Sequence, residues 1–376
     1  MLDGAPGLTP LKAPFPWFGG KSRAAPLIWQ ALGNVPNYVE PFAGSLAVLL
    51  QRPHASHLET VNDKDAFLAN VWRALQADPE AVAAWCDRPV NEADQHAIHT
   101  WLVQQRETFT ARLMGDPDYY DAKVAGWWLY GIACWIGSGW CSGDGAWQSV
   151  DGQLVHLGNA GRGVHRQLVH LGNAGQGVHR QLVHLGNAGQ GVHRQRVHLG
   201  DAGQGVHRQR VHLSGQSGGV GVHKIRLESE ELLAWFATLQ ARLRQVRVCC
   251  GDWRRVLGPS VTFMHGLTGI LLDPPYSAEE TRQADLYAVD DLAVAHTVRQ
   301  WCHEHGQHAS LRIVLCGYGT VHDDLLTQGW TKVGWHAQGG LSHQNRDRDN
   351  QNRYRETLWL SPACQDHQQQ LSLEFL

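Results

Sequence analysis

From His156 onward the chain repeats itself every fourteen residues, and no other feature restricts its architecture as strongly. The units read HLGNAGRGVHRQLV, HLGNAGQGVHRQLV, HLGNAGQGVHRQRV and HLGDAGQGVHRQRV, followed by a diverged fifth, HLSGQSGGVGVHKI. Each has few apolar side chains and three or four glycines. That burial is too small to offset a backbone ordering entropy of roughly 1–2 kcal/mol per residue. Loops or strand–turn units that order on binding are expected, and a stacked solenoid burying a shared seam is the alternative. Identity this high marks recent tandem duplication, so the copy number need not be functional. The histidines recur as pairs nine residues apart, which is not a metal-ligand spacing, and no metal is expected.

Charge separates this segment from the rest. Residues 151–226 hold nine Lys/Arg, two acids and ten of the 23 histidines, while the whole chain of 376 residues carries a net charge of -3. A basic segment on an acidic body points to a polyanion partner; a solvated insert kept soluble by its arginines fits the composition equally well. The eight cysteines form no C-x-x-C pair and are expected to be reduced thiols. No apolar run is long enough to span a bilayer and no secretory signal is seen at the N-terminus, so a cytoplasmic protein without membrane contact is expected.

Outside the repeat, strand-like and helix-like patterns alternate. The stretches GSLAVLLQ, KDAFLANVWRALQ, YDAKVAGWWLYGIACWIG, SEELLAWFATLQARLRQV (with Ser229 as its cap) and VDDLAVAHTVRQWCHEHG read as helices. VRVCC, GILLD and LRIVLCGY read as strands, TKVGWHA and ETLWLSP as a terminal hairpin, and GSGWCSGDGAW as loop or hairpin. Alternation of this kind predicts an α/β fold, a mostly parallel sheet with ligands at the carboxyl ends of its strands.

Three motifs carry chemistry. FPWFGGKSR ends like a phosphate-binding loop, but that loop needs glycine where Phe15 stands, and Pro16 removes another N–H; an ATPase is excluded. Tyr38-Val-Glu-Pro-Phe-Ala-Gly-Ser45 is a strand ending in a small-residue turn, where Gly44 admits close backbone approach and Glu40 offers an acid at the strand end. An ordinary βα turn explains it as well. Leu271-Leu-Asp273-Pro274-Pro275-Tyr276 delivers an acid, a stiff turn and an aromatic from an apolar strand. Asp273 and the Pro274 carbonyl can each accept one N–H of an exocyclic amine, which leaves its lone pair able to attack a carbon electrophile. Tyr276 offers a face on which a base can stack.

PFPWFGGK, YVEPFAGS and LLDPPY, in this order with VNDKDAFLANVW and VRVCCGDW between them, make the chain resemble the D12-class, Dam-like DNA adenine-N6 methyltransferases. The resemblance covers most of residues 14–362 apart from the repeat. It implies a Rossmann-like S-adenosylmethionine-dependent methyltransferase sheet with helices on both faces. Residues 1–74 and 246–376 would form the catalytic core, and 75–245, holding the repeat, an inserted DNA-recognition region. It further implies a cofactor site of Trp17, Gly20, Lys21, Glu40, Phe42, Gly44, Asp63 (ribose) and Asp252 (adenine). Asp273, Pro274, Pro275 and Tyr276 would be catalytic. DNA would be double-stranded with the target base flipped out, its phosphates met by Arg162, Arg166, Arg180, Arg194 and Arg208. A cognate restriction endonuclease is a partner the family admits. The family's turn often reads Phe-x-Gly-x-Gly, and here Leu46 takes the last position, where a larger side chain is expected to move the following helix slightly without abolishing binding, because Gly44 remains at the turn. Cytosine-N4 transfer shares the amine geometry and stays open, as does a catalytically silent DNA-binding protein on the same fold. A protein glutamine methyltransferase, whose tetrapeptide begins with Asn, fits Asp273 poorly. Late in the chain, Arg346, Arg348, Arg353 and Arg355 interleave with Asp347, Asp349 and Glu356, which reads either as phosphate contacts or as a solvated loop.

Overall fold

A computed structural model describes residues 10–17, 19–55, 57–135, 140–141, 147–150, 153–156, 225–275, 294–335 and 356–365. Tyr276, nearly all of the repeat, and with it Arg162, Arg166, Arg180, Arg194 and Arg208, lie outside the described residues.

Five short apolar segments form a parallel sheet: β1 (Asn37–Glu40), β2 (Leu58–Asp63), β5 (Arg247–Cys250), β6 (Thr268–Leu272) and β7 (Leu311–Tyr318). An antiparallel edge follows, β9 (Glu356–Leu360) pairing with β7 and β8 (Thr331–Gly334) with β9. The order across the seven strands is β5-β2-β1-β6-β7-β9-β8. Side chains alternate between two cores, as the period of two requires. Tyr38, Leu271, Val314 and Leu358 enter one, and Val39, Ile270, Ile313 and Trp359 the other. The first face is covered by α1 (Ala25–Leu32), α2 (Ala66–Ala77), α3 (Pro79–Cys86), α4 (Glu92–Gly115), α5 (Ala122–Cys134) and α6 (Ile225–Leu243). The second is covered by α7 (Val294–His305) and the short 3₁₀ turn Trp253–Val256. Helices therefore lie on both faces.

Several helices start on side-chain caps. Asp65, Asp78, Asn91 and Asp121 each accept a hydrogen bond from a first-turn N–H of α2, α3, α4 and α5. Strand β3 (Trp147–Val150) pairs antiparallel with β4 (Gln153–His156), so the repeat begins on a paired strand. Where the chain returns, α6 is locked to the first half of the core. Arg242 donates to both oxygens of buried Glu59 at 2.7 and 2.8 Å, and Gln76 donates to the Leu243 and Val246 carbonyls.

Two expectations change. GSLAVLLQ is not an α-helix, because Gly44 and Leu46 both have positive φ (47° and 55°); only a 3₁₀ turn, Leu49–Gln51, forms. Helix α6 begins at Ile225, so Ser229 lies inside it instead of capping it. TKVGWHA and ETLWLSP do supply the paired strands β8 and β9.

Candidate active site

The carboxyl ends of four neighbouring parallel strands each deliver an acid. In sheet order these are Asp252 just past β5, Asp63 ending β2, Glu40 ending β1 and Asp273 just past β6. The chain fills the sheet outward in both directions from β1 and β6, and the crevice above such a reversal is where open α/β sheets bind ligands.

The turn after β1 is built around Asp63. Its Oδ2 accepts from the Gly44 N–H at 3.0 Å and its Oδ1 from the Asp65 N–H at 2.9 Å, so one carboxylate ties the β1 turn to the start of α2. Burial pushes this carboxyl up to about 6, with the two backbone donors working against the rise. The Lys64 N–H also bonds this carboxylate, so three backbone donors surround it. Trp17 lies on the turn: a methyl group placed at Gly44 would meet its Nε1 at 2.6 Å. Trp72 donates to the Gly44 carbonyl from the other side at 3.1 Å. Gly20 is exposed, its N–H bonded to the Trp17 carbonyl. Leu46 adopts the left-handed conformation that glycine favours and is fully buried, so the turn survives the departure from the family pattern.

Lys21 is buried, and its ammonium sits 2.9 Å from Asp273 Oδ1 and 3.9 Å from Glu356 Oε2 while donating to the Gly19 carbonyl at 2.7 Å. Burial alone would lower its pKa; the charges of Asp273 and Glu356 outweigh that and hold it well above the ordinary lysine value. The Cys316 thiol of β7 belongs to the same group, pushed far up by burial and by the Asp273 charge. Glu40 is buried beside Tyr38, whose hydroxyl donates to it at 3.1 Å. Burial raises its carboxyl to about 8, opposed by the Tyr38 bond and reinforced by Asp273. At neutral pH Glu40 is therefore protonated, while Lys21 is charged.

Asp252 stands at the rim with its side chain about half exposed, and its Oδ1 accepts from the Arg254 N–H at 3.0 Å. Next to it Phe42 packs on Trp253, ring centroids 6.0 Å apart and tilted 30°. Pro274 is buried and Pro275 partly so. Acids at neighbouring strand ends beside an aromatic wall fit a nucleoside-bearing cofactor. Asp63, Phe42 and Asp252 would hold its ribose and base. Among the described residues, no group of three or more His, Cys, Asp or Glu is placed to hold a metal ion, and no helix is long and apolar enough to cross a membrane.

The sequence reads Glu356 both among interleaved charges, as phosphate contacts or a solvated loop, and at the head of the strand ETLWLSP, and assigns it no place in the site. It opens β9 and is only 6 % exposed. The available signal was an acid directly preceding an apolar strand, TLWL. Cys316 gave no signal beyond its apolar surroundings.

A family model described as D12 class N6 adenine-specific DNA methyltransferase matches residues 17–112. The match runs from Trp17 through the Gly44 turn and Asp63 into α4. It bears out the resemblance drawn from the motifs over that stretch. No curated protein matches the chain.

Proposed function

We propose, on the premise that residues 17–112 belong to the D12 class of N6 adenine-specific DNA methyltransferases, that the chain transfers a methyl group to the exocyclic N6 of adenine in DNA. The observation that carries this reading is Asp273. It leaves β6 next to β1, where the strand order reverses, and it is paired with a buried lysine from the N-terminal motif.

S-adenosylmethionine, when bound, supplies an electrophilic methyl group on a sulfonium. The chain's own residues do the rest. Asp63 and Asp252 hold the cofactor's hydroxyl and amine groups, and Phe42 with Trp253 flanks its base. Asp273 and the Pro274 carbonyl each accept one N–H of the target amine. With both N–H groups engaged by Asp273 and Pro274, the nitrogen lone pair would be free to take the methyl group that the bound cofactor supplies, its sulfur leaving with the bonding pair. The surplus amine proton leaves through Asp273, whose side chain is 22 % exposed and so reaches solvent. This is orientation and electrostatic pre-arrangement. Reaching an adenine inside a duplex requires flipping it out, which costs about a few kcal/mol.

The test is expression in cells lacking adenine methylation, followed by long-read mapping of modified bases. N6-methyladenine at a recurring short motif is expected, and its disappearance in Asp273→Ala with S-adenosylmethionine binding retained in calorimetry. Wild-type marking by Asp273→Ala would overturn the mechanism. Methylcytosine in place of methyladenine would move the assignment to N4 transfer, which the same geometry serves.

A further inference from the structure

We propose that Glu356 is a positioning residue for methyl transfer: from β9 it holds the Lys21 ammonium against Asp273. The inference rests on the methyltransferase reading above and extends it to a part of the chain outside the matched family segment.

Asp273 has a particular orientation problem. Three aspartates at strand ends and turns in this protein are aimed by the N–H two residues on. Asp63 accepts from Asp65 at 2.9 Å, Asp65 from Phe67 at 3.0 Å and Asp252 from Arg254 at 3.0 Å. At Asp273 that position is Pro275, and the residue between is Pro274, so neither has an N–H to donate. Asp273 also lies one residue beyond Leu272, the last of β6 to pair with β7. The prolines that stiffen the turn thus offer the carboxylate no N–H from the next two residues. Lys21 supplies a donor from elsewhere, at 2.9 Å to Oδ1.

Lys21 must then be aimed in turn. It stands on the short connection leading into α1, and its backbone carbonyl accepts from the Ala25 N–H. Its ammonium reaches the Gly19 carbonyl on one side and Asp273 on another, and Glu356 faces it at 3.9 Å. That distance is an ion pair, longer than a hydrogen bond, so Glu356 acts through charge and direction. Its place is determined by the sheet. Glu356 lies opposite Tyr318 of β7, two residues from Leu358 and on the same face, which is the face of Cys316 and Leu271. Both Lys21 and Glu356 are almost fully buried, so water does little to screen the pair.

The experiment uses the full chain, unmethylated genomic DNA and tritium-labelled S-adenosylmethionine under single-turnover conditions, with cofactor affinity measured separately by calorimetry. Glu356→Gln is expected to slow methyl transfer about tenfold, within the range found for directly coupled residues, while cofactor affinity stays within about twofold. Glu356→Asp, which keeps the charge, is expected to recover most of the rate. In a Lys21→Met background the Glu356→Gln change should have almost no further effect, because the group it acts through is gone. Wild-type rate in Glu356→Gln, a loss confined to cofactor affinity, or independent effects in the double variant would each overturn the proposal. If Glu356→Gln fails to fold, the comparison of Glu356→Asp with wild type carries the test, and a tenfold loss there would also overturn it. A wild-type protein that methylates no DNA would instead sink the functional reading on which the inference rests.

Discussion

Position 46 sets backbone against side chain. A left-handed conformation costs a leucine about 1–2 kcal/mol relative to the right-handed one. Complete burial of its side chain contributes about 1.5–3 kcal/mol. Leu46 does both, at φ 55° and fully buried, and the second effect outweighs the first. The turn can therefore dispense with its second glycine, and Gly44 still donates to Asp63. Glu40 illustrates the opposite case, a residue whose fold costs stability. Its carboxyl ionises near 4.5 when exposed and at about 8 in the fold. Between those values the unfolded chain has lost the proton and the folded one has kept it, so stability falls as pH rises through that window. The steepest fall is roughly 1.4 kcal/mol per pH unit. Asp63, at about 6 in the fold against an ordinary 3.8, acts with the same sign but is finished by about pH 6. Glu92, raised by burial to about 7, acts likewise, so the interval from about pH 7 to 8 is where Glu40 dominates. Glu40→Gln is expected to flatten the urea midpoint across that interval, and parallel curves for the two proteins would contradict the assignment.

Among the elements, α6 bears on how the chain tolerates its insert. The helix brings Arg242 to Glu59, which is 2 % exposed and also bound by Arg52 at 3.0 Å. Arg242 additionally donates to the Leu49 carbonyl at 3.0 Å, closing the 3₁₀ turn that follows the Gly44 loop. Removing Arg242 strips two charge-assisted hydrogen bonds from Glu59 and leaves Arg52 as its partner. Arg242→Ala should cost about 3 kcal/mol in chemical denaturation, and a loss under about 1 kcal/mol would mean that the network is solvated. The helices α3 and α4 show why pattern reading missed some elements. Their caps were visible as Asp78-Pro79 and Asn91-Glu92. In α4, however, Gln95, His96 and His99 are buried alongside Ile98 and Leu102, and polar residues at buried positions erase the apolar stripe that marks a helix.

For the whole molecule, the repeat departs from a paired strand and returns into a helix anchored to β2 and α2. Deleting residues 170–197 removes two units and preserves both junctions. For a flexible connection the change in closure entropy is about 0.5 kcal/mol, so the denaturation midpoint is expected to hold. Arg180, Arg194 and Arg196 go with the deletion. If they meet phosphates, the salt dependence of DNA binding should weaken by about 0.9 in log–log slope for each, with the methylated motif unchanged. A fall in stability would favour a stacked solenoid. The amino-acid sequence alone determined the alternating α/β plan, the acids at the strand ends and the tetrapeptide beginning at Asp273. Those signals are local, since an apolar run and the residue that ends it are neighbours along the chain. It did not contain the meeting of Lys21, Asp273 and Glu356, three residues from an N-terminal connection, a parallel strand end and an antiparallel edge strand. Nor did it distinguish a buried, protonated Glu40 from an exposed carboxylate, or a structural turn at Leu46 from a displaced helix. Strand pairing and burial decided these, because the charge state and direction of a side chain depend on which distant segments exclude water from it.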